Sequence, residues 1–293
     1  MNIVNKLTLR EMKKNKRRTL VTIIGVIISV AMVSAVAILA TSFIDVLQRD
    51  RIATEGDWHV EYKDLNEEQI QALQTDSQTK KSYVSRDVGY ANFPKSENED
   101  KPYLFVKQFD ERGFQEYPIH LTEGRLPEHP GEIVISEHIS SNGGVDYQVD
   151  DELTLTLGQR ISPDEIFEGV RIDQSFSLMR DDAYEIEEEI TEEQTETYKI
   201  VGVIERPLWE PMWAPGYTVI SYLDPVTVSS DHKANIFVTY KKVTKDIYQY
   251  TEDLAKELNI ENYEMHGSLL ETYGVFSNMG MASAMFTFIA IIH

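Results

Sequence analysis

One uncharged run near the start of this chain constrains its fold more than any other feature. Thr19 to Ile44 is 26 residues without an Asp, Glu, Lys or Arg. As an α-helix it is about 39 Å long at about 1.5 Å per residue. About 20 apolar residues suffice to cross a bilayer core, and a helix pairs its backbone polar groups internally, as lipid requires. The run therefore predicts a transmembrane helix over 19–44. Ahead of it, residues 1–18 hold seven bases and one acid. Lys13, Lys14, Lys16, Arg17 and Arg18 crowd the boundary, and such basic flanks stay in the cytoplasm. These five are the candidate membrane-interface and topology residues. Residues 1–18 read as a cytoplasmic basic amphipathic segment, with Ile3, Leu7 and Met12 on one side of a short helix. The simpler alternative is a basic flank of no defined structure.

From residue 45 onward the chain holds 48 acids against 21 bases. A basic head suits an anionic inner leaflet, and an acidic body lacks the clustered cations that nucleic acid needs. Nucleic acid is thereby excluded as a partner, and the lipid bilayer is the first partner expected. With no cysteine in the chain, disulfides, thiolate metal sites and Cys nucleophiles are excluded. A cleaved signal peptide is an alternative, since Ala35-Val36-Ala37 resembles a cleavage site. The apolar run continues past it, however, and exceeds the usual length of about 7–15 residues for such a segment. A second uncharged run, Thr272 to Ile292, is rich in Gly, Ser and Met, which suits a helix packed on other helices in a membrane. Residues 269–293 are accordingly expected to begin a second transmembrane helix; a buried soluble helix is the alternative. A returning span calls for Lys or Arg behind it, so the chain is expected to be the front piece of a longer polypeptide.

Between the runs, 45–268 reads as an extracytoplasmic domain. Residues 45–50 continue the first helix. Trp58–Tyr62 alternates as a strand, and Asn66 with Glu67 and Glu68 opens a helix through about Thr75. Strands are expected near 82–92, 102–109, 132–135, 152–157, 197–204, 217–222 and 234–240, and a helix over 245–258 capped by Thr244. The predicted class is α+β: an α/β strand–helix subdomain plus an inserted β-rich subdomain at about 115–225, held between two transmembrane helices. Residues 181–196 carry nine acids and no base. They lack the turn glycine and alternating oxygen ligands of a calcium loop and read as a solvated insertion between strands. Trp209 and Trp213, among three prolines, read as a loop pinned to the core, with a ligand surface as the alternative. Of the seven histidines, His129 and His138 are as near in sequence as any pair; they read as solvent-facing. No phosphate-binding loop, H-E-x-x-H or G-x-S-x-G is present. No catalytic residue, cofactor or metal is expected.

The opening LTLREMKKNKRRTLVTIIGVIISVAMVSAVA resembles that of MacB/FtsX-like ABC transporter permeases, whose first span carries a T-x-x-G run, here Thr22 to Ile28 with Gly25. A second block, EGRLPEHPGEIVISEHI at 123–139, is similar to the extracytoplasmic core domain of the same family, with Gly124, Arg125, Pro127 and Glu132 on its pattern. A third, residues 149–155 with 198–204, fits that domain's closing strands and includes Gly202. The resemblance implies a permease subunit of a bacterial cell membrane, with its N-terminus cytoplasmic and its main domain outside. It implies a separate ABC ATPase subunit as partner, and a permease homo- or heterodimer. It further implies a mechanical relay used for export or extraction of peptides, lipids or lipoproteins, or for control of cell-wall hydrolases. The cytoplasmic element that meets the ATPase in that family lies beyond the second span. Two alternatives stand: a membrane-anchored extracellular sensor or adaptor, and an exported enzyme built on paired carboxylates.

Overall fold

The computed structural model describes residues 10, 12–163, 170–229 and 232–276. They fall into two units that divide between Arg49 and Asp50. Helix α1, Lys16–Glu55, begins in the first. It has 40 residues, and the side chains of 20–47 are all exposed, as those of a helix facing lipid would be. Among the described residues it is the one helix long and apolar enough to cross a membrane. Its hydroxyls bond back along the helix: Thr22 Oγ1 donates to Arg18 O at 3.0 Å, Ser29 Oγ to Gly25 O at 2.9 Å and Thr41 Oγ1 to Ala37 O at 3.1 Å. These three hydroxyls are then not presented bare to hydrocarbon. Most of the basic segment, including Ile3 and Leu7, lies outside the described residues.

The second unit is built on one ten-stranded mixed sheet. Its strands are β1 Val60–Leu65, β2 Thr79–Asn92, β3 Tyr103–Phe109, β4 Leu121–Gly124, β5 Glu132–Ser136, β6 Glu152–Ile161, β7 Glu189–Ile204, β8 Gly216–Tyr222, β9 Ala234–Tyr240 and β10 Tyr263–Met265. The order is β10-β1-β9-β2-β3-β8-β5-β7-β4, with β6 paired to β2 and β7. β3/β8 and β5/β7 are parallel; the other pairs are antiparallel. The helices are α2 Glu67–Thr75, α3 Glu111–Glu116, α4 His138–Gly143, α5 Ile247–Glu257 and α6 Gly267–Thr272.

Alternation along the strands decides where the core sits. In β9, Ile236 and Val238 join α2, α5 and α6 in one cluster, while Phe237 faces the opposite side with Trp58, Tyr83 and Tyr117. In β5, Ile133 and Ile135 face Leu153, Leu155, Tyr198 and Val219, while Val134 turns to the Phe237 side. Both faces are buried at these strands, which therefore read as unbroken apolar runs. The strand–helix part and the β-rich part are thus two hydrophobic clusters on one continuous sheet. The capping box at α2 forms as the sequence suggests: Asn66 Oδ1 accepts from Gln69 N at 3.0 Å and Gln69 Oε1 from Asn66 N at 3.1 Å.

Four expectations change. The first half of β7 runs through the acidic segment, so residues 189–196 are strand rather than insertion. Thr195 and Thr197 share cross-strand hydroxyl bonds with Thr156 and Thr154, and Ile190 packs on Tyr90, Tyr103 and Phe105. These side chains outweigh the local charge. The segment from 269 begins within the domain: Leu269 and Leu270 of α6 are fully buried and Val275 nearly so. Each such burial contributes about 2 kcal/mol. Residues 277–293 lie outside the described residues. Thr244 does not cap α5, which starts at Ile247 after Asp246 with no side-chain cap. His138 is not solvent-facing, because its ring sits 5.4 Å from that of Tyr217 and its Nδ1 is 3.9 Å from Glu210. Of the two tryptophans, Trp209 packs on Tyr117 at 5.3 Å between centroids, whereas Trp213 is largely exposed.

Candidate functional site

Where the chain enters the second unit from α1, it meets the segment by which it leaves toward α6. The helix stops at Gly56, whose φ of +98° is a left-handed conformation. A Cβ there would lie 3.1 Å from Trp58 Cδ1 and 3.3 Å from Tyr117 Cδ2. Trp58 Nε1 then donates back to Glu55 O at 2.7 Å. The Glu55 carboxylate accepts from Ser268 Oγ at 3.0 Å and from Arg51 Nη1 at 2.8 Å. It also lies 3.7 Å from His266 Nε2. The Trp58 and His266 rings pack with centroids 4.3 Å apart and their planes tilted by 38°. His266 N–H donates to His59 O at 3.0 Å, and His59 Nδ1 accepts from Tyr240 N–H at 3.0 Å.

Burial holds His59 down to about 4 against the opposing charge of Asp57, and burial lowers His266 against that of Glu55. At neutral pH the His59 ring is therefore neutral, with a single ring N–H. Strands β1 and β10 pair directly above, Val60 opposite Met265. The last turn of α1 and the first residues of the exit segment therefore grip the same sheet edge. That arrangement suits a mechanical clasp. Among the described residues, no group of three or more His, Asp or Glu could hold a metal.

The second block of the sequence closes a different clasp. Arg125 Nη1 donates to Glu132 Oε2 at 2.8 Å, and a second bond joins Arg125 Nη2 to Glu132 Oε1. Glu132 Oε2 also accepts the Glu128 N–H at 2.9 Å and the His129 N–H at 3.3 Å. The turn containing Pro127 is thereby locked over the start of β5. Gly124 has φ +74°, and a Cβ there would lie 2.3 Å from Val201 O; at Gly202 a Cβ would lie 2.5 Å from Arg125 O. Only two glycines allow β4 and β7 to approach this closely.

The Arg125 guanidinium, with the two amides, holds the Glu132 carboxyl at about 2 rather than its ordinary 4.5. A depressed carboxyl stabilises the fold above its unfolded value and loses that contribution as pH falls toward its folded value. Glu132→Gln is expected to cost about 1 kcal/mol at pH 7, as for a well-formed surface pair. It is also expected to flatten the fall in stability between about pH 4.5 and pH 2. Urea melts of wild type and variant across that range check both.

The remaining sequence-derived positions are not among the clasp residues. Lys16, Arg17 and Arg18 are exposed at the head of α1, and Lys13 and Lys14 are exposed just before it. Among the described residues a Cβ at Gly25 would meet nothing within 4 Å, so none of them requires glycine there by close approach.

The MacB-like periplasmic core domain family matches residues 19–249. The chain belongs to this family. It is a MacB/FtsX-like ABC transporter permease component, with the family's extracellular domain and an N-terminal helix long and apolar enough to cross a membrane. Among solved structures, the chain is similar to the extracellular domain of the noncanonic ABC-type transporter YknZ from Gram-positive bacteria, at 10% identity and a TM-score of 0.38, covering 71% of this chain and 98% of that one. It is similar to the periplasmic region of MacB from Actinobacillus actinomycetemcomitans at 10% identity and TM-score 0.40, covering 74% and 92%. A domain of a putative permease protein from Porphyromonas gingivalis matches at 10% identity and TM-score 0.35, covering 70% and 82%. No curated protein matches the chain.

Sequence reasoning missed the clasp of Glu55, Trp58, His59, His266 and Ser268. Its two halves are about 200 residues apart, and neither carries a motif. The one available signal was the strand at Trp58 directly after a continuing helix, which forces a tight junction.

Proposed function

We propose that this chain is part of a permease subunit that relays motion from a partner ATPase, through its transmembrane helix, into the extracytoplasmic domain. The observation that carries the reading is the clasp around Glu55. The helix that begins at Lys16 runs without a break to the residue that bonds Trp58 and Ser268. A shift in that last turn would reach β1 and β10 together, because β1 starts and β10 ends at the clasp. Family membership supports ATP hydrolysis on a separate ABC subunit. Residues 1–18 would be cytoplasmic and 50–276 outside, in a bacterial cell membrane. Export or extraction of peptides, lipids or lipoproteins, or control of cell-wall hydrolases, are the tasks such a relay would serve, in a permease homo- or heterodimer.

Affinity purification of the full-length product from its native membrane is expected to recover an ATP-binding-cassette protein in near-stoichiometric amount. Recovery without one would sink the reading. One observation favours a second reading, a membrane-anchored extracellular sensor: α6 and Val275 pack into the domain core. A tag at residue 293 reached by protease from the outer face would support it.

A further inference from the structure

A cavity of about 290 Å³ opens on the Phe237 side of the sheet. Its walls include five aromatic rings, those of Trp58, Phe105, Tyr117, Trp209 and Phe237. Six carboxylates and two amines line it. Two of the carboxylates are answered from outside the cavity: Glu55 by Arg51, and Glu210 by Lys101 at 3.1 Å and Arg206 at 3.3 Å. Four carboxylates remain, Glu61, Asp87, Asp173 and Glu264, against Lys63 and Lys107. Lys107 Nζ sits 2.6 Å from Asp87, and Lys63 Nζ 2.7 Å from Glu264 and 3.5 Å from Glu61. Burial raises the Glu61 carboxyl and favours its neutral form, and Asp87, Asp173 and Glu264 against Lys63 and Lys107 still leave the balance negative.

A second observation is independent of that charge. Thr218 lines the cavity and is fully buried, and its Oγ1 has no hydrogen-bond partner among the described residues. A buried hydroxyl left unpaired costs about 1–3 kcal/mol and calls for a partner that the chain does not supply.

The mouth is built in advance. Arg160, fully buried, pairs with Glu188 and donates to the carbonyls of Asp173, Phe176 and Ser177. Gln174 bonds Gly216 through both its amide atoms, at 2.9 and 3.2 Å. Trp213 Nε1 donates to Ser175 O at 2.7 Å. The two loops at the mouth carry exposed apolar side chains, Phe176, Met212 and Trp213.

From this juxtaposition we propose that the cavity binds an organic ammonium group borne on an apolar or aromatic body. The ammonium donates to Thr218 Oγ1 and is balanced by the carboxylate excess. The body lies against the aromatic walls, where a cation also gains from the ring faces. This site is independent of the relay reading: it requires only the folded domain.

All three tryptophans of the chain, Trp58, Trp209 and Trp213, stand at this cavity or its mouth, so intrinsic fluorescence reports on it. The full chain in nanodiscs is titrated with phenethylammonium and with 3-phenylpropionate, which has nearly the same shape and the opposite charge. Saturable binding of the cation is expected, with at least about tenfold preference over the anion, since like charge is strongly disfavoured at a negative site. Thr218→Val keeps the shape and removes the unpaired oxygen. It is expected to weaken the cation about tenfold, as for a hydrogen bond to a charged group, with an unchanged or higher Tm. Asp173→Asn keeps the oxygen that accepts from Ser175 and removes one charge; it is expected to weaken the cation several-fold. A Lys-Phe amide that binds more tightly than phenethylammonium assigns the site to peptides, and the reverse order to free amines. Equal or tighter binding of the anion, or full cation affinity in both folded variants, would overturn the proposal.

Discussion

Glu188→Ala is expected to destabilise the domain by about 3–5 kcal/mol, because it strands a buried guanidinium. Arg160 and Glu188 form a bidentate pair at 2.7 and 2.6 Å, and both side chains are wholly buried. The guanidinium also lies 5.2 Å from the Tyr90 ring centroid and 6.0 Å from that of Tyr103. It holds three loop carbonyls, so its loss of charge balance spreads into the loop at 173–177. At about 2–4 °C per kcal/mol for a domain of this size, the melting temperature should fall by roughly 6–20 °C, read by near-ultraviolet circular dichroism. The double replacement Arg160→Met with Glu188→Leu should recover much of that loss, since apolar substitutes for a buried pair are often neutral. A Glu188→Ala melt within 2 °C of wild type, still far smaller than expected on this scale, would show that the pair is not buried as described.

That pair also marks where reading the sequence stopped. Glu188 sits in a stretch of nine acids, and nothing in the local pattern distinguishes it from its solvated neighbours. What selects it is Arg160 on the adjacent strand, a partner set by the register of β6 on β7. Elements decided by local physics were legible: the span from its lack of charge, α2 from Asn66 and its acidic first turn, and β9 from its apolar run. Short elements held by distant contacts were not. α4 exists because Ile139 is buried against β5 and β8, and β10 because it pairs with β1. The block at 123–139 was legible as a pattern, yet its physical content, an arginine–carboxylate clasp over two close-packed glycines, needed three dimensions. The apolar start of 269–276 carried two readings in one dimension, and packing of Leu269 and Leu270 assigns those residues to the domain.

Replacing Lys13, Lys14, Lys16, Arg17 and Arg18 together by Glu is expected to invert or abolish insertion of α1. Five bases at one end of an uncharged helix bias orientation, because Lys and Arg are retained on the cytoplasmic side and drawn to its anionic lipid surface by about 1 kcal/mol each. The variant exchanges that attraction for repulsion. The following residues offer no competing cluster: Asp45 and Asp50 are answered by Arg49 and Arg51 nearby in sequence. The fraction of chains with the domain outside should drop from nearly all to a minority.

The chain has no cysteine, so a single introduced thiol reports its own side of the membrane without background. Met12→Cys and Leu208→Cys, both at exposed positions, are treated in intact cells with a membrane-impermeant maleimide. The account predicts labelling at 208 and protection at 12 until the cells are opened. Labelling at 12, or protection at 208, would contradict it.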